Sequence, residues 1–354
     1  MIQRLSASRA LIEGELRGPT TVTWDERAIV EVRDATSSDD VLDGVLVPGF
    51  IDAQVNGIGD HSVVDPDCDV RRMSEALRSQ GVTTWLPTIP TQSPDFYGEP
   101  LERVRQQFAY AEPGLPHALG FHFEGPLLGE RPGAHRSDWF STSPRIIAEL
   151  CRSVMVTIAP EHSLSTEIIP RLVDNGVIVA LGHSSPTHDQ FHAAVAGGAR
   201  HGTHLFNAMS GVNHIDPGLA TFVLTDDTLT FSAIADLVHV HPTVLRLMWQ
   251  AAGDRMTLVS DQISTAVNKP SQQNARLAGA TTGLDTSVRN LVQTCDIPLR
   301  DVLVMASERP AEVLGLRDRG VIRRGSRPDL VLLTNDLEVR SVVCAGFLWS
   351  SSGN

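Results

Sequence analysis

The sequence predicts an α/β fold: a (β/α)8 TIM-like barrel with a small β-sandwich domain built from both chain termini. Three observations predict it. Eight short apolar runs recur between residues 47 and about 262, most of them beside a helical pattern. The runs are apolar almost without alternation, which suits strands buried on both faces of a parallel sheet. Most also end on a polar side chain, and in a closed barrel those ends gather at the face where active sites form. The chain has 354 residues, 42% of them apolar, enough for one large or two medium cores.

In chain order, residues 1–46 carry short alternating pieces, Ala10-Leu11-Ile12 and Ala28-Ile29-Val30-Glu31-Val32, between Gly and acidic turns. These read as strands of the small domain. The barrel is assigned to 47–318. Its strands are expected at 47–54, 83–88, 118–124, 154–161, 177–183, around 201–205, 229–236 and 256–261. Helices are expected between them, for example at 70–79, 146–151 and 244–251, where apolar residues repeat at i, i+3 and i+4. Residues 288–316 return as helices. Short strands at 320–322, 329–333 and 340–344 complete the small domain over 319–354.

Twenty-nine basic against 42 acidic residues leave a net charge of −13, which repels phosphate backbones and anionic lipid and argues against nucleic-acid or membrane-surface binding. The first eleven residues offer no signal-peptide pattern, and no run of 18 apolar residues occurs, so a soluble cytoplasmic protein is expected. Cys68, Cys151, Cys295 and Cys344 are scattered without C-x-x-C spacing, which suggests neither a disulfide framework nor a thiolate metal site. Any metal must be held by histidine and carboxylate.

Gln54, Glu124, Glu161, His183, His204, Asp236 and Asp261 fall at or near the carboxyl ends of the expected strands. A divalent ion on Glu124, His183 and His204 would keep an open coordination position, where a water is acidified to a pKa of about 7. Asp261 could then take that proton and return it to a leaving amine. The alternative is that each strand-end histidine is a satisfied polar residue, and spacing alone leaves both open.

The local wording then resembles a known family, the N-acetylglucosamine-6-phosphate deacetylases of the amidohydrolase superfamily. Pro48-Gly49-Phe50-Ile51-Asp52 with Gln54-Val55-Asn56-Gly57 is similar to the family's first barrel strand, and Gly120-Phe121-His122-Phe123-Glu124-Gly125-Pro126 to its glutamate-bearing strand. The likeness continues in family order through Gly182-His183-Ser184, Thr203-His204-Leu205-Phe206-Asn207-Ala208-Met209, Pro217-Gly218-Leu219-Ala220, Ile234-Ala235-Asp236 with His239, and Leu258-Val259-Ser260-Asp261. It covers nearly the whole chain.

The resemblance implies one catalytic metal per subunit, zinc by analogy, on Glu124, His183 and His204. It implies that Asp261 is the general base and then acid, and that His135, in Pro132-Gly133-Ala134-His135, polarises the acyl carbonyl. Asn207 and the Ala208 N–H match groups at the sugar-phosphate end, and His239 matches a residue that reaches a neighbouring subunit's phosphate. A homodimer with active sites at the subunit interface is implied in turn. Gln54-x-Asn56 stands where many superfamily members carry His-x-His, and neutral amides bind zinc poorly. That points to the mononuclear branch, with Gln54 and Asn56 ordering the site or contacting substrate by hydrogen bonds.

The chain also departs from the family. Counting from His204, the arginine that grips the 6-phosphate falls on Ile215, with His214 adjacent. A mostly neutral imidazole is a weaker phosphate clamp than a guanidinium. The loop after Asp261 reads Gln262-Ile263-Ser264-Thr265 and the hairpin behind it is shortened. Arg131, Arg136, Lys269 and Arg276 are candidate substitutes, each with surface solvation as its ordinary reading. His188, His192 and His201 read as supporting or surface groups, and Glu161 and Asp236 as hydrogen-bonding supports.

The function expected is removal of an acetyl group from a small-molecule N-acetyl amino sugar, N-acetylglucosamine 6-phosphate in the simplest case. One alternative keeps the mechanism but takes an unphosphorylated or different N-acyl substrate. Another is a non-catalytic sugar-binding relative.

Overall fold

The computed structural model describes residues 2–109, 112–265 and 278–350. Lys269 and Arg276 lie outside the described residues. Eight parallel strands form the barrel: Phe50–Val55, Val82–Pro90, His122–Glu124, Met155–Ile158, Ile178–Leu181, His201–Gly202, Thr230–Ile234 and Met256–Val259. They pair in chain order. The ring closes where Val55 bridges Gln262, with the Asp261 N–H donating to the Gln54 carbonyl at 2.9 Å and the Asn56 N–H to the Gln262 carbonyl at 2.8 Å. Closure therefore sets the end of the first strand beside the end of the last.

Val, Ile, Leu and Phe fill these strands because both faces are covered, the inner by the barrel's own side chains and the outer by helices. Phe50, Trp85, Phe123, Val156, Val179, Phe231 and Leu258 are all fully or nearly fully buried. The helix Val70–Ser79 is representative of the outer layer. Asp69 caps it by accepting the Arg72 N–H at 3.0 Å, and Met73 and Leu77, four apart, supply the buried stripe. Truncating a core leucine such as Leu77 to alanine costs about 2–5 kcal/mol.

All the barrel strands but the second are shorter than their apolar runs suggest, and the third and sixth show why. The third is split into His117–Ala118 and His122–Glu124, because Gly120 between them takes φ +137° and leaves the ladder. The sixth stops at Gly202, and His204 two residues later sits at φ +28°.

The terminal domain is an eight-stranded sheet. Its order is Phe347–Ser350, Val339–Cys344, Leu330–Leu333, Val41–Pro48, Gln3–Ile12, Thr20–Trp24 and Ile29–Asp34, with Glu15–Arg17 on the flank of Gln3–Ile12. Val41–Pro48 and Leu330–Leu333 pair antiparallel from Val45↔Leu333 to Pro48↔Leu330, so the two ends of the chain are joined at this seam. The domain has its own core of Leu5, Val22, Trp24, Ile29, Leu46, Ile322 and Leu332. The strand expected at 320–322 is corrected: the segment is a bend with no ladder partner, and Ile322 enters the core from a loop. The helical return is present as Leu284–Gln293, Leu299–Ala306 and Glu308–Val313.

Candidate active site and metal centre

Glu124 ends the third barrel strand, His183 follows the fifth, His204 the sixth and Asp261 the eighth, so the barrel alone brings four distant residues to one mouth. All four are buried. His183, His204 and Asp261 take φ of +51°, +28° and +50°. Non-glycine residues enter this left-handed region at a cost, and where they do so at a site the surrounding structure holds them there.

Three potential ligand atoms converge at the centre. Glu124 Oε1 lies 2.9 Å from His183 Nε2 and 2.8 Å from His204 Nε2, and the two imidazole nitrogens are 3.2 Å apart. His183 Nδ1 faces the Pro132 carbonyl at 3.2 Å. A carbonyl can only accept, so Nδ1 carries the hydrogen and Nε2 presents a lone pair toward the carboxylate oxygen. A cation at the focus would satisfy the carboxylate oxygen and the imidazole nitrogens together. Two histidines and a glutamate are also a donor set that zinc takes in hydrolytic sites, with bonds of about 2.0–2.2 Å. The residues fit a divalent ion.

Donor atoms of Glu124, His135 and His183 also lie within 4.8 Å of one another. Hydrogen bonding separates His135 from the ligand set. The Thr91 backbone N–H points at His135 Nδ1 at 3.2 Å, so Nδ1 is the acceptor and Nε2 carries the hydrogen. That Nε2–H stands 3.4 Å from the other carboxylate oxygen, Glu124 Oε2. His135 is thus set up as a hydrogen-bond donor, whereas His204 shares Oε1 with His183.

The two amides of the first strand act on the carboxylates. Gln54 Nε2 donates to Glu124 Oε1 at 3.1 Å and to Asp261 Oδ1 at 3.0 Å, and Asn56 Nδ2 donates to the same Oδ1 at 2.8 Å. Among the described residues none donates to Asp261 Oδ2. Burial pushes the Asp261 carboxyl well above its ordinary range, and the Glu124 charge adds to the effect. Glu124 moves the opposite way: burial opposes its ionisation, but the His183, His135 and His204 imidazoles outweigh it. One carboxylate is held charged and its neighbour is proton-avid.

A cavity of about 490 Å³ opens over this centre. Glu124, His135, His183, His204 and Asp261 line its floor, and Asn207, Ala208, Met209, His239, Val238 and Arg131 its walls. His239 Nδ1 is 2.7 Å from Asp236 Oδ2, and its buried Nε2, without a partner, belongs to a ring that lines the cavity. Glu161 accepts from the Ser184 hydroxyl, from the Ser185 N–H at 2.7 Å and from the Glu130 N–H at 3.3 Å. It thereby ties the loop after His183 to the 130–135 loop. Gly133, at φ +63°, allows that loop to approach: a Cβ there would stand 3.2 Å from Ala208 Cβ and 3.3 Å from His183.

His214 and Ile215 sit on an exposed loop and do not line the cavity, Ile215 being 82% exposed. His188 and His192 are likewise exposed and pair with each other at 2.8 Å. The sequence did not single out Thr91, whose N–H fixes the His135 tautomer, or Pro132, whose carbonyl fixes that of His183. Both act through backbone atoms, which a residue pattern does not display.

Residues 45–348 match the model of the Amidohydrolase family. The N-acetylglucosamine-6-phosphate deacetylase of Danio rerio is 31% identical over 94% of this chain and 90% of its own length. The N-acetylgalactosamine-6-phosphate deacetylase of Escherichia coli O157:H7 is 30% identical over 86% of this chain and 88% of its own. Among solved structures, an N-acetyl-D-glucosamine-6-phosphate deacetylase of Mycobacterium smegmatis in complex with N-acetyl-D-glucosamine-6-phosphate superposes with a TM-score of 0.90 at 28% identity, covering 99% of this chain and 100% of that one.

Proposed function

The chain belongs to the amidohydrolase family, among the N-acetylglucosamine-6-phosphate deacetylases, and on that premise we propose that it hydrolyses the acetamide of an N-acetyl amino sugar 6-phosphate to the free amine and acetate. The observation that carries the reading is the convergence of Glu124, His183 and His204 on one point, with Asp261 and the His135 N–H facing the same cavity. Glu124, His183 and His204 would hold a divalent ion, zinc in our reading. Bound there, such an ion supplies Lewis acidity at neutral pH and positive charge opposite the acyl oxygen.

The chain's own residues do the rest. Asp261, raised by burial, accepts the proton of the attacking water at its carboxylate, and Gln54 and Asn56 fix its orientation through Oδ1. His135 Nε2–H donates to the acyl oxygen as negative charge grows on it. Asp261 then passes its proton to the departing sugar nitrogen, which leaves as a neutral amine.

Acetate release from N-acetylglucosamine 6-phosphate, N-acetylgalactosamine 6-phosphate and unphosphorylated N-acetylglucosamine tests the proposal. Turnover of a 6-phosphate is the expected result, and turnover of none overturns the reading. Ile215 in the family's arginine position favours a second reading, in which an unphosphorylated or otherwise different N-acyl compound is taken by the same mechanism. A clear preference for the unphosphorylated sugar would establish it.

Two further features belong to the proposal. The assembly is a homodimer, supported by exposed Val212 and Ile215 on the loop after Met209 and by exposed Val238 at the cavity wall. Sedimentation of the purified protein checks it. The site of action is the cytoplasm, where a sugar phosphate is retained; among the described residues no helix is long and apolar enough to cross a membrane.

A further inference from the structure

We propose that Arg131 is the guanidinium that grips the substrate's phosphate in this chain, in an anion site completed by the Ala208 N–H and His239. The inference rests on the deacetylase reading above and adds the residue that would make it phosphate-specific. Any phosphate held here must overcome a net charge of −13 and the Glu124 and Asp261 carboxylates on the cavity floor, so a cation is needed. Ile215 cannot provide it, and His214 is on the exposed loop outside the cavity.

Among the described residues Arg131 is the one lysine or arginine that lines the cavity. It is exposed and forms no ion pair or hydrogen bond with any described residue. Arg136, the nearby alternative, is engaged by Asp138 through bonds of 3.1 and 2.6 Å and stacks on Trp139 at 4.4 Å. The loop that carries Arg131 is pressed against the wall that carries Ala208, as the Gly133 contacts show. On that wall the Ala208 N–H has no partner among the described residues, and Ala208 itself is at φ +48°. His239 adds an imidazole whose side chain is only 8% exposed and whose Nε2 is unpartnered. Asp236, 2.7 Å from its other nitrogen, fixes the orientation of the ring in the cavity wall.

A guanidinium, a free backbone N–H and an imidazole backed by a carboxylate together suit a phosphate monoester dianion. Glu130 also lines the rim and opposes the anion, which makes Arg131 the more necessary.

The test compares wild type and Arg131→Ala on N-acetylglucosamine 6-phosphate and on N-acetylglucosamine, with inorganic phosphate as competitive inhibitor. Loss of a charge-assisted bond, discounted for its exposure, is worth about a tenfold change. The kcat/KM ratio of phosphorylated to unphosphorylated sugar should fall by about that factor, mainly through KM, with a matching rise in the inhibition constant of phosphate. An unchanged ratio and phosphate constant in Arg131→Ala, in an enzyme that does prefer the 6-phosphate, overturns the assignment of Arg131 alone. A wild type that hydrolyses neither sugar overturns the deacetylase reading itself.

Discussion

The side-chain amide of Asn56 lies 2.8 Å from Oδ1 of Asp261, so the carboxylate we propose as the proton acceptor is steadied by a neutral donor from the opposite end of the barrel sheet. A histidine at that place would invite a second metal ion. The amide orders Asp261 through a neutral hydrogen bond that lowers its proton affinity but does not outweigh the burial that raises it, and Gln54, two residues earlier, donates to the same oxygen at 3.0 Å.

Asp261→Asn should lower kcat by about 10³-fold, the scale of a positioned general base, while metal content and fold persist. Asparagine tolerates the φ of +50° at this position as well as aspartate does. Acetate release alongside metal analysis checks this, and near-native turnover would remove Asp261 from the reaction.

His135→Ala should lower kcat by about 10²- to 10³-fold through loss of one donor to the developing oxyanion. Metal stoichiometry should be unchanged, because Nδ1 is occupied by the Thr91 N–H and Nε2 bears hydrogen. A variant that emerges without metal would instead make His135 a ligand.

Chelation should both abolish turnover and lower the melting temperature, since the unscreened Glu124, His183 and His204 lone pairs would face one another. At an ion concentration a hundredfold above Kd the bound state gains about 2.7 kcal/mol. Glu124→Gln should melt at nearly the same temperature with and without chelator, measured by calorimetry with zinc added back. An equal chelator effect on both proteins would place the ion elsewhere.

Stability should fall as pH drops from neutrality. Burial pushes His201 down to about 3, with the neighbouring His122 adding to the effect, and its Nδ1 meets Thr230 Oγ1 at 2.7 Å. The unfolded imidazole titrates near 6.5, so below that pH the unfolded chain binds a proton that the native chain refuses. The contribution is complete above about pH 6.5 and is lost progressively toward pH 3, on the order of a few kcal/mol. Urea midpoints at pH 7 and pH 5 should differ in the wild type and differ less in His201→Gln. A flat wild-type midpoint would refute this.

Much of the barrel was readable because each parallel strand is a short apolar run with a polar residue at its end, and Glu124, His183, His204 and Asp261 are those ends. The misreadings came from apolar residues that are buried without a ladder. Ile322 belongs to the terminal core but reaches it from a bend, and a run of apolar letters does not distinguish the two. The sixth strand was read too long because Leu205 is buried, although the backbone has already turned at His204. Arg131 reads as a solvated side chain and is exposed; what the residue pattern does not display is that the fold brings its loop against the wall that carries Ala208. The tautomers of His135 and His183 depend on a backbone N–H and a carbonyl donated by other loops, and no spacing rule reaches those.

The left-handed backbone at His183, His204 and Asp261 sets this protein's stability against its chemistry at three separate positions. At each, glycine is the substitution that relaxes the main chain most, by up to about 1 kcal/mol where it fits, and at each it deletes a side chain that the proposed reaction uses. Selection for heat resistance alone would therefore drift toward a better-folded, inert barrel, whereas the native sequence retains the strain. Libraries built to stabilise this chain should hold these three codons fixed and seek their gains in the terminal sheet and the outer helices.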